Sequence, residues 1–453
     1  MKIAIATLGC KINQYDSAVI QSRLESKHSF VAFDEEADCY VINSCTVTDR
    51  ADWEARQLVR RAKRLNPAAK VLVTGCYAQV NPQEVACVIG VDYVVGLNRL
   101  DDLVRFVEEA PAEATQMAVT DVKRERGVPV LGTRALPGHT RAFLKIQEGC
   151  NYSCTYCIIP TARGLSRSVT PRQVLEQVRR LAGAGYKEVV LTGIHLGGYG
   201  QDLKPRMDLM ALVEMIAASG LILRVRLSSL DPREVPDRLL DLVAASDVVC
   251  PHLHICAQAG DNEILKRMRR NYDTGYYRAL LDRVRDRLPD AALGSDIIVG
   301  FPGETDEQFE NCLEYFVSLP LTYFHVFPYS SRRGTFAASL PDAVPAGQKK
   351  SRARRMRELG ERKKSDFYAR FIGQRARVLV EAKLERTTGL QRGFSRNYLP
   401  VTVAAAGDLT NREVEVRIED LRKGWLAGRL SSANSDSYAG AASIAVEPTI
   451  RSD

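Results

Sequence analysis

Short apolar runs rich in β-branched residues alternate with helical stretches over the first hundred residues. The runs lie at 2–10, 38–45 and 70–76, and the helical stretches lie at about 14–27 and 52–65. β-branched runs of this length are typical of buried strands. Strands that alternate with helices indicate βα units around a parallel sheet. We therefore predict an N-terminal parallel-sheet α/β domain over residues 1–110.

Each of these three strands ends in a cysteine, namely Cys10, Cys45 and Cys76. In an open α/β sheet, ligands bind beyond the carboxyl ends of the strands. The three thiols are therefore expected at one edge of the sheet, although they are far apart in the sequence.

The βα pattern resumes after a segment, residues 111–138, that is interrupted by prolines and is predicted to be a linker with some extended structure. Predicted strands lie at 142–147, 188–192, 223–228, 251–255, 294–300 and 323–328, with helices such as 171–184 and 305–319 between them. Six βα units predict a partial (β/α)6 barrel over residues 139–367. Its active site should lie at the C-terminal ends of the strands.

The chain carries a formal net charge of +8, and the excess of basic residues is concentrated in one segment. Residues 349–375 hold eleven Lys or Arg and three acidic residues, a surplus equal to that of the whole chain. Focused basic charge is typical of a protein that binds nucleic acid, although a solvated helix face is the alternative.

Alternating runs at 375–381, 398–403 and 413–418 predict a small all-β barrel over 368–432. The tail 433–453 is predicted to be disordered.

The chain has eleven cysteines and no apolar run near the 18–20 residues that a membrane helix needs. An odd cysteine count without an export signal argues against a disulfide framework and predicts a cytoplasmic protein with no membrane partner. Cysteines within apolar strands or helices are expected to pack in the core, and these are Cys39, Cys87, Cys250, Cys256 and Cys312.

The strongest chemical signal is the loop Cys150-Asn-Tyr-Ser-Cys154-Thr-Tyr-Cys157, directly after the first barrel strand. Three thiolates within eight residues can hold three irons of a [4Fe–4S] cluster and leave the fourth iron open. Tyr156 is expected to shield the cluster or pack against a bound cofactor. A structural zinc site with a distant fourth ligand is the alternative.

This loop resembles the signature of the radical S-adenosylmethionine superfamily, in which the reduced cluster cleaves S-adenosylmethionine to an adenosyl radical. The stretches that begin Thr7-Leu-Gly-Cys10, Asn43-Ser-Cys45 and Thr74-Gly-Cys76 look like the methylthiotransferase family. The C-terminal barrel looks like the TRAM domain of that family, an RNA-binding module.

The resemblance implies a second [4Fe–4S] cluster on the three N-terminal cysteines. It also implies that S-adenosylmethionine is both the methyl donor and the radical source. The clusters and the adenosyl radical would then carry the chemistry, and no residue is assigned as an acid–base catalyst. The implied partners are the tRNA anticodon stem-loop, an electron donor such as flavodoxin or ferredoxin, and a sulfur source.

The subfamily is indicated by Leu8–Ser17 and by Ile158-Ile-Pro-Thr-Ala-Arg-Gly164. These stretches are most similar to enzymes that modify C2 of N6-threonylcarbamoyladenosine at position 37 of tRNA. The alternatives are isopentenyladenosine 37, a ribosomal protein residue, or a non-catalytic RNA-binding iron–sulfur protein.

The resemblance also implies that Gly193, Ser228, Gln258 and Asp296 line the S-adenosylmethionine pocket, with turn and barrel packing as the alternative. The segment 252–261 departs from the family, which often reads His-Leu-His-Ile-Pro-Leu-Gln-Ser-Gly-Ser. Here Cys256 replaces the proline and both serine hydroxyls are absent. We interpret His252 and His254 as barrel lining.

Arg163 is a candidate partner of a substrate carboxylate, because a guanidinium suits planar anions, and a surface salt bridge is the alternative. Contacts with RNA are expected from the basic segment and the barrel, at Lys349, Lys350, Arg354, Arg355, Lys363, Lys364 and Tyr398.

Overall fold

The computed structural model describes residues 1–110, 114–125, 127–128, 140–405 and 407–431. The chain forms two compact units, with Lys363 the last residue of the first and Lys364 opening the main part of the second. The tail predicted at 433–453 lies outside the described residues. No helix in the described ranges is long and apolar enough to cross a membrane.

The N-terminal part of the first unit is a six-stranded parallel sheet in the order β2-β1-β3-β4-β5-β6. Its elements are β1 (Lys2–Thr7), α1 (Lys11–Leu24), β2 (Ser29–Val31), β3 (Cys39–Ser44), α2 (Asp49–Leu65), β4 (Lys70–Gly75), α3 (Cys76–Val80), α4 (Pro82–Ala86), β5 (Tyr93–Val95), α5 (Leu100–Glu108) and β6 (Gln116–Ala118).

Helices cover both faces of this sheet, which explains why its central strands are almost continuously apolar. α1 and α5 contribute to the core on one face, and α2 and α4 contribute to the core on the other. Every residue of β3 and β4 is buried. The sixth strand, β6, lies inside the segment predicted as a linker and pairs with β5.

The second part of this unit contains the predicted partial barrel. Its elements are β7 (Arg141–Glu148), α6 (Ile159–Arg163), β8 (Arg167–Ser168), α7 (Pro171–Gly183), β9 (Glu188–Gly193), α8 (Leu209–Ala218), β10 (Arg224–Leu227), β11 (Ser229–Leu230), α9 (Asp237–Ala245), β12 (His252–Ile255), α10 (Asn262–Arg267), α11 (Thr274–Arg287), β13 (Ala292–Val299), α12 (Asp306–Ser318), β14 (Tyr323–Pro328) and α13 (Ala346–Ala369).

Parallel pairing runs β7–β9–β10 on one side and β11–β12–β13–β14 on the other. A bridge between Val225 and Val249 links the two sides, and β11 continues directly from β10. The expected barrel of six parallel βα units is confirmed. α7 begins as predicted, because Thr170 and Gln173 form a reciprocal capping box before Pro171.

The second unit contains a closed five-stranded barrel in the order β15-β16-β17-β19-β18. Its strands are β15 (Arg375–Leu384), β16 (Gln391–Ser395), β17 (Pro400–Ala404), β18 (Glu413–Arg422) and β19 (Trp425–Leu430). The all-β expectation is confirmed, although β16 and β19 were not predicted. β17 begins two residues later than expected because Tyr398 adopts the left-handed conformation, with φ 66°.

Candidate functional site

The cysteine loop after β7 folds back onto the barrel and brings its three thiols into one local cluster. The Tyr152 amide donates to Cys150 Sγ at 3.4 Å, and the Cys157 amide donates to the Cys154 carbonyl at 3.1 Å. Burial raises the pKa of Cys150 to about 11 and that of Cys157 to about 12. Both thiols therefore hold their protons until a metal displaces them.

Arg270 lies against this cluster and was missed in the sequence. Its Nη1 donates to Cys154 Sγ at 3.1 Å, and its Nη2 pairs with the buried carboxylate of Asp231. The guanidinium also lies 5.0 Å from the ring centre of Tyr272. Because 116 residues separate Arg270 from Cys154, no local pattern could have indicated this contact.

The N-terminal cysteines follow three adjacent strands of the sheet, β1, β3 and β4. The register that pairs Ser44 with Gly75 brings Cys45 and Cys76 side by side. Gly9 brings the third thiol to them, because its φ of 93° suits glycine and a side chain there would meet Cys45 Sγ at 2.8 Å. The structure thus brings together the residues that the strand-end pattern grouped.

Arg163 lies beside this second triad, and the expected contact with a substrate carboxylate is wrong. The residue is 1% exposed, and it pairs with Glu148 at 2.7 Å and Asp16 at 3.0 Å. It also donates to the Asn13 amide oxygen at 2.6 Å. Burial raises the pKa of Cys76 to about 12, and the charge and hydrogen bond of Arg163 oppose that rise.

Arg163 is buried because α6 packs against α3, the short helix that begins at Cys76. Its contacts are buried ion pairs, whereas the alternative was a surface salt bridge, and they join the two lobes of the first unit. Lys145 on β7 reinforces the same junction, pairing with Asp16 at 2.7 Å and Glu148 at 2.8 Å.

A second buried arginine of the barrel also joins the two lobes. Arg332, in the loop after β14, donates to the Thr46 hydroxyl at 2.7 Å and pairs with the carboxylates of Asp49 and Asp52. Since Thr46 follows Cys45 directly, this loop of the barrel holds the loop that carries the second N-terminal thiol.

A cavity of about 970 Å³ lies between the two lobes. Ile158, which follows Cys157, lines it, and so do Val80 at the end of α3 and Asn81. The remaining lining residues are Asp49, Asp52, Arg56, Glu84, Ser331, Arg332, Arg333, Gly334, Thr335, Phe336, Ala338 and Ser339. The segments that carry both triads therefore border one space.

The residues expected in the cofactor pocket lie at or beyond the ends of successive barrel strands. Gly193 ends β9, and Ser228 interrupts the strand between β10 and β11 with a buried hydroxyl. The Gln258 amide donates to the Asp296 carbonyl at 2.9 Å, which places these two residues side by side after β12 and on β13. Tyr156 packs against the core cluster that contains Tyr272 and Phe301.

The basic helix α13 uses much of its charge within the protein. Lys349 donates to the Tyr329 carbonyl at 3.3 Å, Arg355 pairs with Glu310 through two hydrogen bonds, and Lys363 donates to the Leu319 carbonyl at 2.7 Å.

Two of the expected RNA-binding cations on α13, Lys350 and Arg354, remain exposed, whereas Lys364 is half-buried. In the second unit, Tyr398 stacks on Phe394 with ring centres 4.8 Å apart. This aromatic pair is half-buried.

The other cysteines divide into two groups. Cys39, Cys250 and Cys312 are buried in the core, as expected. Cys87 is exposed, so the core-packing prediction is wrong there, because it caps the short helix α4 at the surface. Cys256 is partly buried beside Asp296 rather than in an apolar core.

Each triad presents three thiols, and no fourth protein ligand accompanies them among the described residues. This donor set suits a [4Fe–4S] cluster with one open iron. Cys150, Cys154 and Cys157 would hold one cluster. When bound, such a cluster with S-adenosylmethionine supplies one-electron chemistry that acid–base side chains cannot. The chain itself supplies the thiolates, the two arginines that lie against them and the cavity between the lobes.

Two family models match the segments that carry the two triads. A model of the radical SAM superfamily matches residues 144–316, and that of an uncharacterized protein family, UPF0004, matches residues 2–96. The chain is 38% identical to the threonylcarbamoyladenosine tRNA methylthiotransferase MtaB of Bacillus subtilis, over 92% of this chain and 93% of the relative. The MtaB protein of Aquifex aeolicus is 41% identical over 84% of this chain and 93% of its own length.

Two more distant similarities complete the comparison. A tRNA-2-methylthio-N(6)-dimethylallyladenosine synthase of Pelotomaculum thermopropionicum is 33% identical, over 95% of this chain and 98% of the relative. The radical S-adenosylmethionine methyltransferase TsrM of Kitasatospora setae has a similar fold, with a TM-score of 0.54, 16% identity and coverage of 74% of this chain and 73% of TsrM. The chain therefore belongs to the methylthiotransferase family of radical S-adenosylmethionine enzymes.

Proposed function

We propose that the protein transfers a methylthio group to C2 of N6-threonylcarbamoyladenosine at position 37 of tRNA. It would use two [4Fe–4S] clusters and two molecules of S-adenosylmethionine, one as methyl donor and one as radical source. The observation that supports the proposal is the cavity between the lobes. Ile158, in its wall, directly follows Cys157 of one triad, and Val80, also in its wall, ends the helix that begins at Cys76 of the other triad. A base in this cavity would have access to both clusters.

The cavity wall offers a partner for the carboxylate of the threonylcarbamoyl group. Arg333 is exposed in this wall, next to the buried Arg332. A guanidinium binds a carboxylate through two parallel hydrogen bonds. We expect Arg333→Ala to raise KM for tRNA with threonylcarbamoyladenosine by about tenfold or more while kcat changes little. An unchanged KM would remove Arg333 from this role.

Contacts with the anticodon stem-loop would come from two surfaces, each with its own chemistry. Lys350 and Arg354 present exposed charge to phosphates, and Phe394, Tyr398 and Trp425 form a half-exposed aromatic cluster on the C-terminal barrel. Base stacking on an aromatic ring contributes about 1–3 kcal/mol.

We expect Tyr398→Ala to weaken tRNA binding at least about fivefold in a filter-binding assay. Trp53→Ala, which removes an exposed aromatic ring from α2, is the control and should bind tRNA normally.

The activity itself is tested by nucleoside analysis of tRNA from a deletion strain. The 2-methylthio form of threonylcarbamoyladenosine should disappear and return with the wild-type gene or with Cys312→Ala, which changes a buried thiol outside the site. Loss of 2-methylthio-isopentenyladenosine instead would assign the other tRNA substrate. A methylthiolated ribosomal protein residue that disappears with the gene would assign a protein substrate.

The count of clusters has a separate test. Anaerobic reconstitution should give about eight iron atoms per chain, four for each cluster. A content of about four iron atoms per chain would indicate a single cluster. The proposal places the protein in the cytoplasm, with flavodoxin or ferredoxin as electron donor and a separate sulfur source. A non-catalytic iron–sulfur protein would not cleave S-adenosylmethionine after reduction.

A further inference from the structure

Three neighbouring barrel strands bring together a cluster of metal-ligand side chains that includes none of the six triad cysteines. His254 lies on β12 and Cys256 directly after it, Asp296 lies on β13, and His325 lies on β14. The parallel register pairs Asp296 with His325 directly. These groups therefore share one position in the partial barrel, although they come from three separate segments of the sequence.

Three different donor atoms converge in this cluster. His254 Nε2 is 3.1 Å from Asp296 Oδ1, and Cys256 Sγ is 3.5 Å from Asp296 Oδ2. The nitrogen, the sulfur and a carboxylate oxygen all lie within 4.8 Å of one another. A tetrahedral zinc site with ordinary bond lengths places its nitrogen and oxygen ligands about 3.4 Å apart and its sulfur and oxygen ligands about 3.6 Å apart. The two observed spacings are close to these values but involve different oxygens of Asp296, so the carboxylate would turn to present one oxygen to a bound ion.

The surroundings of the cluster orient its ligands as they do in metal sites. The second ring nitrogen of His254, Nδ1, lies 3.3 Å from the Tyr323 hydroxyl. His325 Nδ1 lies 3.2 Å from Asp296 Oδ1. Metal-binding histidines and carboxylates usually have such outer partners, which fix the ring orientation and the carboxylate.

His254 also has a nitrogen that lacks an ordinary hydrogen bond. Its Nε2 is buried, and no described residue meets both the distance and the angular requirement for a hydrogen bond with it. That atom faces Asp296 and Cys256. An ion bound between the three donors would satisfy it.

We propose that His254, Cys256 and Asp296 bind a Zn²⁺ ion inside the partial barrel. A thiolate and an imidazole favour zinc over magnesium or calcium, which prefer oxygen ligands. Three protein ligands leave one tetrahedral position for water or an oxygen of a bound molecule. The site does not depend on the identity of the tRNA substrate and uses none of the triad cysteines, although Asp296 is also one of the residues expected to line the S-adenosylmethionine pocket.

The first test measures metal content in the cluster-loaded protein purified without oxygen. Elemental analysis should give about one zinc ion per chain after removal of loosely bound metal. X-ray absorption at the zinc edge should show one sulfur ligand, with nitrogen and oxygen making up the rest. Three sulfur ligands would place the zinc in a cysteine triad and overturn the proposal, and so would the absence of zinc after incubation with Zn²⁺.

The second test compares single substitutions in a zinc competition titration. His254→Ala, Cys256→Ala and Asp296→Ala should each weaken zinc binding by at least about tenfold. Cys312→Ala, which removes a buried thiol from α12, is the matched control and should bind zinc like the wild type. Unchanged binding by Cys256→Ala would contradict the site. The iron content, measured in the same samples, reports whether each variant keeps its clusters.

Discussion

The two cysteine triads differ in how the chain builds them. Cys150, Cys154 and Cys157 come from one loop, which is held by a hydrogen bond from the Tyr152 amide to the Cys150 thiol and by a backbone hydrogen bond from Cys157 to Cys154. Cys10, Cys45 and Cys76 follow three strands of one sheet. Both triads have an arginine at one thiol, but Arg270 approaches from within the barrel, whereas Arg163 reaches across from the barrel to the N-terminal lobe.

This difference indicates that the two sites depend on different parts of the fold. The loop triad needs a short segment and the barrel end beneath it. The strand-end triad needs the sheet register and the buried arginines between the lobes. Damage to the lobe junction should therefore affect the N-terminal cluster and spare the other.

The largest expected effect comes from removing one thiol of each triad. Cys154→Ala should abolish cleavage of S-adenosylmethionine and leave tRNA binding intact. Cys45→Ala should retain cleavage within about twofold but reduce methylthiolation to background, because only sulfur delivery needs the second cluster. Product analysis by mass spectrometry measures both activities in one reaction. If Cys45→Ala still methylthiolates tRNA, the N-terminal triad is not needed for sulfur insertion, and the proposed division of roles between the triads is wrong.

A somewhat smaller effect is expected from Arg332→Ala at the lobe junction. The substitution leaves the buried Asp52 without its cation and should cost about 3 kcal/mol of unfolding free energy. Iron content should fall from about eight towards about four per chain, because the loop after Cys45 loses its anchor. Arg105→Ala, which removes an exposed ion pair, is the control and should change neither quantity. Equal loss of both clusters would show that the two clusters depend equally on the lobe junction.

Separate effects on the clusters are expected from the two arginines. Removing a cationic donor from a cluster sulfur lowers the reduction potential of that cluster, by an amount on the order of tens of millivolts. Arg270→Ala should shift the potential of the loop cluster, and Arg163→Ala should shift that of the N-terminal cluster. Redox titration followed by electron paramagnetic resonance measures each, and the lysine variants should restore part of each shift. A single variant that shifts both clusters equally would contradict the assignment.

The smallest expected effect is a pH dependence at the junction. Burial by itself would raise the pKa of Glu148, but Arg163 and Lys145 lower it to about 2. A carboxyl whose pKa is lower in the folded state stabilises the fold fully above its unfolded pKa of about 4.5 and loses that contribution as the pH falls towards 2.

Urea unfolding between pH 6 and pH 3 should therefore show a decline in stability that is shallower in Glu148→Gln. Glu314→Gln, at an exposed position of α12, is the control and should follow the wild type. An equal decline in all three proteins would mean that Glu148 does not carry this dependence.

Much of the fold could be predicted from local pattern. The strands that precede Cys10, Cys45 and Cys76 are apolar because helices cover both faces of their sheet, and such runs are easy to recognise. β16 could not be predicted because it is short and lacks a clear alternation, and β6 was anticipated only as extended structure in a segment interrupted by prolines. Arg163 was assigned to the wrong partner because its neighbours, Asp16 and Glu148, lie on other elements.

The sequence by itself determined which residues can ligate metal, since Cys150, Cys154 and Cys157 are neighbours in one loop. It also determined that the N-terminal cysteines end strands, and a parallel sheet gathers strand ends at one edge. Only the tertiary structure decided that Arg270 and Arg163 lie at the thiols, and that the barrel brings His254 to Asp296. Those contacts join distant segments through strand register and lobe packing, which no local periodicity encodes.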